Sequence, residues 1–283
     1  MFRRALTGLI IGTVAAAGVA YAHPAAAEPT TSGPGHYVAL GDSAAAGPLI
    51  IPQKPGPSAC RRSERNFPTV AARILRITDF VDATCSSAVT ANLFTAQGDA
   101  RPQLDAVTPA STVVTLGPIG ANDAHLVQLV LDCIVPGCAA RQGREPHDRL
   151  EETRPRLSAA LRTITLRAPR ATVVVVGYGR YLPPGGCPSV QPLSGGDAVY
   201  IQGLLDHMNT ILKEVAAAHS ARFVALSEVP NALRHTACAT PDQRWLEGLV
   251  PQGNDGSIPL HPTARGMRAF AAAVAGVVQG DIR

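Results

Sequence analysis

The chain of 283 residues carries 25 Lys and Arg against 21 Asp and Glu, a formal net charge of +4, with 4% aromatic residues. Its basic residues, almost all arginine, are scattered among acids, and no basic block is interleaved with aromatics, so the composition is not a nucleic-acid footprint and no nucleic-acid partner is expected. One substantial α/β domain can occupy about 250 residues, and with no internal repeat and no second composition regime a single domain over residues 36–283 is the economical reading.

Residues 1–27 read as a secretory signal peptide, with Arg3 and Arg4 as a basic n-region, residues 5–19 as an apolar h-region and Ala25-Ala26-Ala27 as a small-residue cleavage site. The apolar run is broken by glycines and is shorter than the roughly 20 residues that a spanning helix needs. Export and removal of the segment are therefore expected, with the mature protein outside the cell or in the cell envelope. The arginine pair admits the twin-arginine route, and no cysteine follows the h-region to carry a lipid. Without Arg3 and Arg4, 23 basic side chains face 21 acidic ones. Residues 28–35 form a polar leader rich in Pro and Gly, expected to be flexible.

Beyond the leader, short β-branched runs alternate with helical patterns. Strands are expected at 37–40, 80–84, 112–116, 172–176 and 222–226, and the run Val173-Val174-Val175-Val176 has the character of a central parallel strand buried on both faces. The clearest helix spans 197–218, with apolar residues at Tyr200, Ile201, Leu204, Leu205, Met208, Ile211, Leu212 and Val215. Others are expected at 67–75, 157–167 and 263–278. This alternation predicts a parallel sheet covered by helices.

Six cysteines in an exported chain read as a disulfide framework rather than as free thiols. Proximity pairs Cys60 with Cys85 and Cys133 with Cys138, which leaves Cys187 for Cys238. A metal site is disfavoured, because no two cysteines stand at Cys-x-x-Cys spacing and no two histidines lie three to five residues apart. Neither a metal nor an organic cofactor is expected.

Gly41-Asp42-Ser43 follows the first strand, where a hydroxyl would project into the crevice beyond the carboxyl ends of a parallel sheet. Alone it is an ordinary turn. Its weight comes from distant segments. His261 stands before Pro262, a residue favoured at the first position of a helix, and offers a base that can activate a serine hydroxyl. Asn122, in Gly120-Ala121-Asn122-Asp123 after the third strand, offers an amide N–H to an oxyanion. The backbone around Ser86-Ser87-Ala88, beside Cys85, offers another donor. His23, His36, His125, His147, His207, His219 and His235 are read as ordinary polar residues. No Gly-x-Ser-x-Gly occurs, which counts against the α/β-hydrolase nucleophile elbow.

On these blocks the chain resembles the SGNH (GDSL) hydrolase family, and in particular its secreted, three-disulfide actinobacterial esterase and lipase branch. The resemblance implies a three-layer α/β/α, flavodoxin-like fold with a five-stranded parallel sheet, and a serine mechanism acting on acyl esters. Ser43 would be the nucleophile and His261 its base, with Ser43 N–H, Ser87 N–H and Asn122 as oxyanion donors. Ser87 stands where the family carries a glycine. The family's Asp-x-x-His would need an acid at position 258, and Ile258 is there instead. Some members of this branch hold the imidazole with a backbone carbonyl, and Arg244-Trp245-Leu246-Glu247-Gly248 is similar to the loop preceding the histidine in them. A backbone carbonyl near Ser257 or Ile258 is therefore expected to accept from the imidazole, with Asp255 as the runner-up acid.

The strip Pro48-Leu49-Ile50-Ile51-Pro52 is expected to line the acyl-chain side of the cleft. The substrate is expected to be a small-molecule or lipid ester, met by a monomer that makes transient contact with lipid or the cell envelope. Two alternatives stand beside this reading: a polysaccharide or cell-envelope O-deacetylase or acyltransferase, and a catalytically silent envelope-binding module of the same fold.

Overall fold

The structure, a computed structural model, describes residues 35–280. The signal peptide expected over 1–27 and all of the leader except Gly35 lie outside the described residues. Five strands, β1 (His36–Leu40), β2 (Asp79–Asp82), β3 (Ser111–Leu116), β4 (Thr172–Val176) and β5 (Arg222–Val224), pair in parallel in the order β2-β1-β3-β4-β5. Tyr37 to Leu40 and Val174 to Val176 are buried, as the apolar runs of central parallel strands require when helices cover both faces. The expected strands 80–84 and 222–226 end early. Thr84 turns to bond Asp82, and Leu226 enters a 3-10 turn.

Among the described residues, eight α-helices connect and cover the sheet: α1 (Ser43–Ala46), α2 (Phe67–Ile74), α3 (Leu126–Asp132), α4 (Cys138–Gln142), α5 (Glu145–Glu151), α6 (Arg154–Arg167), α7 (Gly195–Ala218) and α8 (Ala264–Gln279). Four of them begin on polar caps: Asp42 accepts from Ala44 N, Asn66 from Thr69 N, Ser194 from Asp197 N and Thr263 from Gly266 N. Helix α8 stops at Gly280, whose φ of 84° is open to glycine at little cost. Helix α2 packs on α8, and α5 and α6 pack on α7. These two groups form the outer layers of the three-layer α/β/α sandwich, the fold of SGNH hydrolases.

Three short helices between residues 126 and 151 have no counterpart among the expected elements. None exceeds seven residues, and Gly137 and Gly143 interrupt the chain between them, so no helical period runs long enough to register. The disulfides are Cys60–Cys85, Cys133–Cys138 and Cys187–Cys238, the pairing that proximity favoured. None lies in a strand; each ties a loop or the end of a short helix.

Candidate active site

The strand order reverses at β1, with β2 on one side of it and β3 on the other. A crevice opens at such a point beyond the strands' carboxyl ends. Gly41 makes the turn out of β1; a Cβ there would lie 2.9 Å from Ala45 Cβ and 3.1 Å from the Pro118 carbonyl, so the approach of these segments needs glycine. The buried Gln103 accepts from Gly41 N at 2.8 Å and donates to Gly41 O at 2.9 Å. Asp42 N donates to Pro118 O at 2.9 Å. Asp42 then caps α1 by accepting from Ala44 N at 2.8 Å, which presents Ser43 as the first helical residue.

His261, buried at the start of the segment leading into α8, places Nε2 2.7 Å from Ser43 Oγ across 218 residues of sequence. Its Nδ1 lies 2.8 Å from the carbonyl oxygen of Pro259. A carbonyl can only accept, so Nδ1 carries the hydrogen and Nε2 presents its lone pair to the Ser43 hydroxyl. Burial lowers the imidazole below its ordinary value of 6.5, with the Pro259 hydrogen bond opposing. The carbonyl beside Nδ1 is that of Pro259, next to Ile258 and one residue beyond the two named above.

Asp255, the runner-up acid, is engaged elsewhere. One of its oxygens accepts from Ala264 N at 2.6 Å and the other from Ser257 N at 3.0 Å. The first turn of α8 has unpaired N–H groups that attract a carboxylate, and this demand takes Asp255 away from the imidazole. Burial alone would raise its pKa; the hydrogen bonds from Ser257 and Ala264 outweigh it and the carboxyl stays below its usual range.

Asn122 lines the same cleft as Ser43 and His261. Its amide donates to Ala88 O at 3.0 Å, which fixes the side chain and leaves a second N–H. Neighbouring Asp123 anchors the segment by accepting from Thr90 N, Thr90 Oγ1 and Arg156. Ser87 is exposed and does not line the cleft, and its N–H has no protein acceptor among the described residues. Its φ is 63°, the left-handed region that glycine adopts freely. The loop therefore keeps the backbone shape that the family's glycine implies, despite the side chain.

A buried tyrosine that sequence reasoning missed joins two of these blocks. Tyr178, just beyond β4, donates its hydroxyl to Asp42 at 2.5 Å and accepts from Ala121 N at 3.0 Å. Burial pushes the Asp42 carboxyl up to about 7, against the Tyr178 and Ala44 hydrogen bonds that hold it down. Burial first, and then the charge of Asp42, raises the Tyr178 phenol well above its ordinary value, so it remains a donor. The only signal in the sequence was position: Tyr178 follows the fourth strand as Ser43 and Asn122 follow the first and third.

The segment bearing His261 is held by a polar network. Arg244 and Glu247 form a fully buried ion pair at 3.2 Å, and Glu247 also accepts from Gln252 N and Gly253 N. Glu247 N in turn donates to His261 O at 2.9 Å, and Thr263 N to Trp245 O at 2.9 Å. These are the residues of the 244–248 block likened above to the loop before the histidine. The histidines read as ordinary have ordinary partners: His36 meets Asp79, His207 meets Glu151, His219 meets Ser158, and His235 stacks on Trp245. Among the described residues, no three His, Cys, Asp or Glu side chains gather as a metal site.

A cleft of about 750 Å³, open solvent at its mouth included, runs from Ser43 and His261 between α3 and α7. Leu126, Val127, Leu129 and Val130 of α3 face Leu204 and Leu205 of α7 across it. The expectation that residues 48–52 line the acyl side is corrected: none does. Ile50 is buried in the core, whereas Leu49 and Ile51 point to solvent, because Ile50 N turns back to Gly47 O and directs that one side chain inward.

A serine hydroxyl paired with an oriented, neutral imidazole at the switch point of a parallel α/β/α sheet can attack an acyl carbonyl, and fold and site together define a carboxylic ester hydrolase. Residues 39–269 match the model of the GDSL-like Lipase/Acylhydrolase family. The chain belongs to that family. It is 35% identical to Lipase 2 of Streptomyces coelicolor over 96% of this chain and 97% of that protein. Among solved structures, the extracellular lipase of Streptomyces rimosus is 28% identical with a TM-score of 0.72, covering 88% of this chain and 100% of that one. Phospholipase A1 of Streptomyces albidoflavus NA297 is 27% identical with a TM-score of 0.70, covering 87% of this chain and 98% of that one.

Proposed function

We propose that the protein is a lipase of medium- and long-chain acyl esters, acting outside the cell through a Ser43/His261 dyad. The carrying observation is the 2.7 Å contact between Ser43 Oγ and His261 Nε2 at the end of an apolar cleft. Ser43 Oγ attacks the ester carbonyl carbon while its proton passes to His261 Nε2. The tetrahedral oxyanion is met by Ser43 N–H and the free N–H of Asn122, both in the cleft lining; Ser87, outside that lining, is not assigned a contact. His261 then protonates the departing alkoxide, leaving Ser43 acylated. Water attacks the acyl-enzyme, giving its proton to Nε2, and collapse releases the acid and restores the Ser43 hydroxyl. The Pro259 carbonyl takes over two tasks of a triad acid, tautomer and ring orientation, while supplying less charge for the imidazolium.

The apolar walls of α3 and α7 favour an aliphatic acyl group over an acetylated sugar, which would leave hydroxyls unpaired against leucine. The disulfides suit an oxidising compartment and support export after removal of residues 1–27.

The test is hydrolysis of p-nitrophenyl esters from acetate to palmitate beside acetylated sugars, with fluorophosphonate labelling of the wild type and Ser43→Ala. The expected result is kcat/KM rising beyond acetate, and labelling lost in the variant together with activity by on the order of 10,000-fold or more. A preference for acetylated sugars would replace the lipase reading with a deacetylase. An unlabelled, folded wild type would leave a silent module.

A further inference from the structure

Helix α3 presents three different stripes. Leu126, Leu129 and Val130 are buried and line the cleft. Gln128 and Asp132 form a polar stripe, bonded to each other at 3.0 Å. Between these Val127 and Leu131, four residues apart, share an outward face, and the turn that follows the helix adds Ile134 and Val135. Val127 and Leu131 are each 45% exposed, Ile134 46%, and the following Val135 64%. Single exposed apolar residues are common, but a run of large ones on one face marks an interaction surface.

We infer that this stripe docks the enzyme on the surface of a lipid aggregate that carries its ester substrate, an inference that rests on the lipase reading above. Two observations select a lipid surface as the occupant. The first is continuity: Val127 belongs both to the exposed stripe and to the cleft wall, so an acyl tail drawn from the aggregate passes along apolar surface to the cleft without crossing water. The second is the state of the backbone after α3. A loop that approaches an apolar layer gains from satisfying its own peptide groups, and most of those between Asp132 and Cys138 are paired within the protein. Arg141 donates to the carbonyls of Pro136 at 2.6 Å, Val135 at 2.6 Å and Asp132 at 3.0 Å. Asp197 accepts from the N–H groups of Gly137 at 3.1 Å and Cys138 at 2.8 Å. The Cys133–Cys138 disulfide closes the same loop, so little ordering remains to be done on docking.

The surface addressed is one without net charge. Residues 126–136 contain a single charged side chain, Asp132, and the guanidinium of Arg141 is committed to the loop carbonyls, so the patch lacks the basic cluster that anionic headgroups recruit. Docking is peripheral, with apolar side chains reaching the boundary between headgroups and acyl tails; no helix among the described residues is long and apolar enough to span a membrane.

The test separates docking from turnover. In a Ser43→Ala background, which leaves lipid unconsumed, cosedimentation with phosphatidylcholine vesicles is compared with and without Leu131→Gln, Ile134→Ser and Val135→Ser together. The expected result is vesicle binding weakened by roughly tenfold or more. With Ser43 intact, the triple variant should hydrolyse monomeric p-nitrophenyl acetate at the parental rate but lose rate on the vesicles. Val135→Asp alone, at the most exposed position, gives the same readout if the triple variant fails to fold. Equal vesicle binding by parent and variants overturns the inference, as does a dimer in size-exclusion chromatography that the substitutions dissociate, since the stripe would then cover a second copy. A failure of the lipase reading would show instead as a wild type without ester turnover, which leaves the vesicle arm readable.

Discussion

The loop carrying Ser43 and the segment carrying His261 meet at one hydrogen bond yet are held in opposite ways. Gly41 and Asp42 are bonded to Gln103 and Pro118 directly beyond the strands, so the proposed nucleophile inherits the rigidity of the sheet. His261 stands at the end of a long loop with only 3-10 turns before it, and its position depends on a buried ion pair, a bridge between Leu246 and Pro262, and Asp255 at the start of α8. The first half sits directly on the strand end, tied by the Gln103 amide and the Pro118 carbonyl, whereas the second adds a buried ion pair and a carboxylate cap to its backbone bonds. The second half is the more exposed to single substitutions, because removing one partner of a buried pair leaves the other unsatisfied.

Glu247→Gln should break this contrast most severely. It leaves the Arg244 guanidinium without its buried counter-charge, at a cost of about 3–5 kcal/mol, read as a Tm lower by roughly 10 °C with kcat reduced in the protein that remains folded. An unchanged Tm would show that the loop is held by packing alone.

Tyr178→Phe probes the half held by the sheet. The phenol spans Asp42 and Ala121, so its loss should cost about 1.5–3 kcal/mol of positioning, seen as kcat falling by on the order of tenfold or more with KM little changed. Removing the Tyr178 hydrogen bond also removes one of the interactions that hold the Asp42 carboxyl down to about 7. In the variant that carboxyl therefore rises further, which NMR titration of the carboxyl carbon reads. An unchanged kcat would show that the phenol does not position the loop.

The smallest effect on rate is expected from Asp255→Ala. Its oxygens serve Ala264 and Ser257, so the loss resembles removal of a helix cap, about 0.5–2 kcal/mol of stability, with kcat near the parental value. The acid limb of kcat/KM should lie below 6.5 in both proteins, because burial keeps His261 neutral to lower pH than an ordinary histidine. A loss of kcat on the scale of a missing triad acid, about 10⁴-fold, would restore Asp255 as the orienting group.

Much of this site was legible in the residues. Ser43, Asn122 and His261 were singled out only in combination, each being an ordinary turn or helix-boundary residue by itself, and the structure sets Ser43 2.7 Å from His261 with Asn122 in the same cleft. The five strands and the long helices were found from their periodicity, and the cysteine pairs from their spacing. The walls of the cleft were not: the eye falls on the proline-bounded strip 48–52, whereas the walls come from α3, too short to show a period, and from one face of α7. Tyr178 was missed for a related reason, since its two partners, Asp42 and Ala121, are 136 and 57 residues away.

By itself, then, the sequence determined the order of elements and the parallel sheet, because each follows from the residues within a few places along the chain, and it singled out a hydroxyl, an imidazole and an amide only as a combination of distant blocks. Only the tertiary structure decided that Pro259 rather than Asp255 orients His261, that Tyr178 couples Asp42 to the segment of Asn122, and that α3 offers one face to the cleft and another to solvent. Those outcomes are settled by competition through space. A carboxylate, a carbonyl or a hydroxyl takes whichever partner the packed protein brings within about 3 Å, and that partner is set by how distant segments come together.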